Sequence, residues 1–105
     1  MDKKTIRVIF YPVDGEPELR TIKDELREYQ KLVGGHIEPY RIKTGLLALM
    51  DEDGWEHQRP HHKRFGFFLG DLVLVATSGE EFVSVTDEDV RRFERVYGVH
   101  VRREE

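Results

Sequence analysis

An amphipathic face that stops dead at two consecutive glycines is the feature that most constrains this chain. Between Tyr29 and Ile42 the sequence reads YQKLVGGHIEPYRI. Leu32 and Val33 close an apolar helical face, and Gly34 or Gly35 supplies the left-handed cap at which a Cβ would be strained. The chain must therefore leave a helix, turn sharply and enter an extended segment within a few residues. That excludes a long helix or coiled coil and points to helices docked on a sheet.

Upstream, Thr21 is the expected N-cap with Asp24 as its capping-box partner, and Ile22, Leu26, Tyr29 and Val33 follow at helical spacing. Lys23, Glu25, Arg27, Glu28 and Lys31 occupy the other face, as in a helix lying on a sheet. Before it, Thr5 to Val13 reads as a strand, with Ile6, Val8 and Phe10 on one face and Arg7, Ile9 and Tyr11 on the other. Pro12, Asp14-Gly15 and Pro17 end that strand in a turn. His36 to Ile42 is an edge strand because Pro39 lacks an N–H. Gly45 to Met50 is a short apolar strand that the Asp51-Glu52-Asp53-Gly54 turn closes.

Gly70 to Thr77 is the clearest strand, and Ser78 to Glu81 turns it into a hairpin with Phe82 to Val85. Thr86 caps a second helix with Asp89 at the capping-box position; Val90, Phe93 and Tyr97 form its inner face and Gly98 ends it. Val99 and Val101 add a short edge strand before a charged tail. The order β-α-β-β-loop-β-β-α-(β) is that of a single α+β domain over residues 1–105, a mixed or antiparallel sheet of four to six strands with two helices packed on it. A chain of this size buries roughly 65% of the surface its unfolded form exposes, so it folds without staples.

Composition removes several function classes. A formal charge of -4 argues against a general polyanion binder, so any nucleic-acid contact falls on a local patch. With no cysteine there is no thiol catalyst, thiolate metal site or disulfide framework. The N-terminal MDKKTIRVIF lacks the apolar core of a secretion signal, and no run approaches the roughly 18 apolar residues of a membrane span. The expectation is a cytoplasmic protein with no membrane partner.

The candidate binding residues lie between Trp55 and Phe68, read as a long exposed loop: Trp55, His57, Arg59, His61, His62, Lys63, Arg64 and Phe67. Aromatics among charges in an interrupted segment are the composition of an interface core. The leading reading is a non-enzymatic protein that binds a partner protein, with Trp55, Arg59 and Phe67 as anchors. The alternative is an anion sponge for a nucleotide-like small molecule such as a cyclic nucleotide signal, held by Arg59, His61, His62, Lys63 and Arg64. A second alternative is nucleic-acid binding through the same patch. Other constellations fail on chemistry. His57 and His61 have zinc spacing, but Pro60 interrupts them. Asp51, Glu52 and Asp53 open like a calcium loop, yet its twelfth position is His62. No serine or threonine is marked as an activated nucleophile, so no catalytic residue, metal or cofactor is expected. The edge near Pro39 leaves a homo-oligomer open.

Two blocks, KLVGGHIEPYRI and GDLVLVATSGEEFVSVTDEDV, resemble a family of small uncharacterised domains of bacteriophages, plasmids and other mobile elements. The matching positions are Leu32, Val33, Gly34, Gly35, Ile37, Glu38, Pro60, Gly70, Phe82, Val83, Ser84, Thr86 and Asp87. The loop departs from that pattern: HQRPHHKRF stands where members carry a shorter Leu-Pro-Pro-Asn-Arg type sequence. The resemblance implies a genomic setting in which accessory proteins act by stoichiometric binding, and hence a host or defence-system protein as the partner.

Overall fold

The computed structural model describes residues 4–103; Lys3 of the N-terminal run and the last two glutamates of the charged tail lie outside the described residues. Eight elements follow in order: β1 (Thr5–Tyr11), β2 (Glu18–Lys23), α1 (Leu26–Val33), β3 (Ile37–Arg41), β4 (Leu47–Asp51), β5 (Leu72–Ser78), β6 (Glu81–Val83) and α2 (Asp87–Tyr97). The sheet runs β2-β1-β5-β4-β3, with β6 paired to the far end of β5, and its ladders are antiparallel. This is the expected α+β class, six strands and two helices.

Strand alternation sorts the core into two layers. Ile6 and Val8 of β1, Leu49 of β4 and Val73 and Val75 of β5 meet Tyr29 and Val33 of α1 on one face. Ile9 and Tyr11, Ala48 and Met50, and Leu72 and Leu74 meet Val90 and Phe93 of α2 on the other. Residues Leu72 to Val75 are buried throughout because a helix covers each side of that central strand.

Three local expectations are corrected. Thr21 and Ile22 lie in β2, paired to β1 from Thr5↔Lys23 to Phe10↔Glu18, rather than opening the first helix. The proline and glycine turn after β1 thus closes a hairpin, and a ladder of cross-strand pairs prevails over one side-chain cap. Glu25 is the N-cap of α1 and makes no side-chain cap bond; Asp24 instead accepts from the Tyr29 hydroxyl at 2.6 Å, and Leu26 is left exposed. Second, the Val99–Val101 segment forms no strand of its own. Arg102 makes a single parallel bridge to Glu18, and Val101 is buried.

Third, the Trp55–Phe68 loop is not exposed along its length. His62, Phe65 and Phe68 are buried, and the loop folds back on itself through His62 N–H to the Phe68 carbonyl and Gly70 N–H to the Pro60 carbonyl, both at 2.8 Å. The remaining helix ends match: Gly34 caps α1 in the left-handed region at φ 85°, and Thr86 and Asp89 form a reciprocal capping box on α2, which ends at Gly98 with φ 65°.

Candidate functional site

The loop is organised by Asp51, the last residue of β4, whose side chain is only 1% exposed. Its Oδ1 accepts from the Asp53 N–H at 2.9 Å, while Oδ2 is shared by His57 Nδ1 at 2.6 Å and Arg59 Nε at 2.9 Å. Arg59 also donates from Nη2 to the Gly34 carbonyl at 2.9 Å, tying the loop to the end of α1. Burial pushes the Asp51 carboxyl up, but the hydrogen bonds from His57, Arg59 and Asp53 outweigh it and hold the group below the ordinary carboxylate range.

The double glycine belongs to the same network. A Cβ on Gly35 would stand 2.5 Å from Asp51 Oδ1, and one on Gly34 would collide with Arg59 Nη2. Asp51 is a residue that sequence reasoning missed: the acidic run reads locally as a turn, and no local spacing pairs Asp51 with Arg59.

The predicted cations do not converge. Arg59 and His57 face Asp51. His61 Nδ1 meets the Gly66 carbonyl at 2.7 Å, with its ring edge-on to Trp55. Arg64 donates from Nε and Nη2 to the Tyr97 carbonyl at 3.2 and 2.6 Å, neutralising the C-terminal end of α2. Lys63 projects into solvent. His62 is corrected outright. Its ring is 1% exposed, its Nδ1 accepts from the Arg64 and Phe65 N–H groups, and Tyr11 packs edge-on at 4.4 Å, so it reaches no ligand in solvent.

The aromatics behave otherwise. Trp55 is 77% exposed, Phe67 76% and Tyr40 47%, although a globular chain of this size has core space for large rings. Tyr40 and Phe67 flank the buried Phe68 at 5.7 and 4.4 Å between ring centres. Two clefts open on either side of this aromatic ridge. One, of about 150 Å³, lies towards Trp55 and carries Glu38 and Glu52. The other, of about 380 Å³, lies towards the end of α2 and carries Arg41, Lys43 and Arg64. Sequence reasoning left out Tyr40, Arg41 and Lys43; the available signal was an edge strand running out into a basic hairpin turn.

A further grouping places ligand atoms of His36, Glu52 and Asp53 within 4.8 Å of one another at the surface, beside the Asp51 network. No helix among the described residues is long and apolar enough to cross a membrane.

Fold and surface together define a small α+β domain that presents an aromatic ridge between two clefts of opposite charge. The chain belongs to the family described as domain of unknown function (DUF3846), which matches residues 6–98. No curated protein and no solved structure matches it.

Proposed function

We propose that this protein is a non-enzymatic, stoichiometric binder that captures a partner protein on the ridge formed by Trp55, Phe67 and Tyr40. The observation that carries the reading is the exposure of these three rings on one face while comparable rings in the same loop, Phe65 and Phe68, are buried. Exposed aromatics around a well-packed base are the usual anchors of protein interfaces. Arg59 supports this surface from beneath, through Asp51 and Gly34, and is not itself an anchor.

The Trp55 cleft is rimmed by Glu38 and Glu52, so the matching partner presents an apolar or aromatic group bordered by basic side chains. The family resemblance of the Gly34-Gly35 and Phe82 to Asp87 blocks favours a mobile-element setting, and with it a host or defence-system protein as the partner.

The test is capture from host-cell extract by wild-type protein and by a folded Trp55→Ala variant, with the bound species identified by native mass spectrometry. Truncating an interface anchor costs about 2 kcal/mol or more, a loss of roughly 30-fold in affinity. Equal capture of the same species by both proteins would remove Trp55 and the ridge from the interface.

A further inference from the structure

The cleft on the α2 side has a chemistry that partner capture at Trp55 does not use. It measures about 380 Å³, within the range of small-ligand pockets. Among the described residues that line it are three cations, Arg41, Lys43 and Arg64, and no carboxylate, in a chain whose formal charge is -4. Like charges gathered in a concave surface repel, so what holds them matters.

Both arginines rest on neutral acceptors, but on different faces of the sheet. Arg41 pairs with Leu47 and so turns its guanidinium to the α1 face of the sheet, away from Tyr40, donating from Nη1 to the Gly45 carbonyl at 2.8 Å and to Thr77 Oγ1 at 3.1 Å. Arg64 sits on the Tyr97 carbonyl and lies 5.7 Å from the centre of the Tyr97 ring. The Arg64 fork is thereby positioned without losing its charge to a carboxylate, and it keeps a further N–H donor. Lys43, exposed on the turn between β3 and β4, has no ion pair among the described residues. The walls between these cations are the open rings of Tyr40 and Phe67.

A ligand that satisfies both halves of the cleft carries a planar ring and a phosphate. We infer that this cleft binds a nucleoside monophosphate or a ligand containing that unit, with the base against Tyr40 and Phe67 and the phosphate against Lys43 and Arg64. The site differs from the one composition suggests in the His57–Arg64 loop: of those cations only Arg64 contributes. It shares Tyr40 and Phe67 with the capture ridge but not Trp55, so a change at Trp55 separates the two.

The experiment is isothermal titration with the common ribonucleoside monophosphates, with the matching nucleoside and inorganic phosphate as half-ligands. At least one monophosphate is expected to bind more tightly than either half. Lys43→Glu, at an exposed turn, is expected to weaken it by about tenfold or more, the worth of one charge-assisted contact, and Arg64→Gln likewise. Trp55→Ala is expected to leave it unchanged while weakening partner capture by roughly 30-fold, which separates the two readings. Absence of binding by every monophosphate at millimolar concentration overturns the inference. So does affinity that Lys43→Glu leaves unmoved, or phosphate alone binding as tightly as the nucleotide, since the rings then contribute nothing.

Discussion

His62 shows how a residue chosen for one role is held by another. Because Nδ1 accepts two backbone N–H groups, at 3.1 and 3.2 Å, the neutral ring carries its proton on Nε2. Burial lowers the ring's pKa from the ordinary 6.5, and the carbonyls of Tyr11 and Pro12 and the charge of Asp71 oppose it only in part. As pH falls, the unfolded chain therefore takes up this proton first. Stability from His62 is full above about pH 6.5 and declines below it until the folded ring also titrates. Asp51 adds a second, more acidic window: its lowered pKa contributes stability above about pH 4 that is lost as pH falls through the folded value. Urea unfolding across this range is expected to show a decline beginning near pH 6.5. In His62→Phe the first decline disappears, at a cost of about 2 kcal/mol at neutral pH for the two orphaned N–H groups. An unchanged slope in that variant would assign the decline to another histidine. The sequence makes Trp55 and Phe67 legible, because large rings among charges and breakers stand out. It does not reveal that His62 and Arg64, two positions apart, meet the core and a helix end, since burial in an aperiodic loop is decided by distant elements such as β1 and α2.

At the scale of elements, regular patterns were readable wherever one periodicity stood alone. The central run Leu72 to Val75, the capping box at Thr86 and the edge strand with Pro39 all fall where the residues place them. The segment from Glu18 to Val33 was not, because Thr21 and Ile22 fit a helix start locally and a strand in pairing with β1. The double glycine joins these elements to the site. Gly34 needs a left-handed backbone, which costs a residue with a side chain about 1–2 kcal/mol. Gly35 does not, yet its Cβ would press on the buried Asp51 carboxylate. Gly35→Ala is therefore expected to destabilise by about 2 kcal/mol through overpacking, with a coupling to Asp51→Ala of about 1 kcal/mol or more, since removing the carboxylate removes the collision. Gly45→Ala serves as the reference: its φ is 94° but nothing lies within 4 Å of its Cβ, so only backbone strain is added. Additive effects of Gly35→Ala and Asp51→Ala in a denaturant cycle would refute the steric link.

At the scale of the whole molecule, the edges of the antiparallel sheet decide whether a second copy can add a strand. The β2 edge is covered in part by the C-terminal segment, through Leu19 N–H to the Arg102 carbonyl at 2.7 Å and Arg102 N–H to the Pro17 carbonyl at 2.9 Å. The β3 edge is blunted differently. Glu52 N–H bonds the His36 carbonyl and Ile42 N–H bonds the Leu46 carbonyl, so even-numbered residues of β3 point their backbone groups towards β4. Ile37, Pro39 and Arg41 then face outward, and the middle position has no N–H to offer. A second copy adding a strand there would leave a gap in its ladder, which favours a monomer despite the open edge. On the proposed reading, a partner then meets the ridge through side chains and not by extending the sheet. Pro39→Val restores the outward donor on an exposed, β-favouring residue. Sedimentation is expected to show wild-type protein as a monomer at micromolar concentration and Pro39→Val shifted towards dimers or larger species. A wild-type dimer, or a variant that stays monomeric under the same conditions, would show that Pro39 does not control this edge.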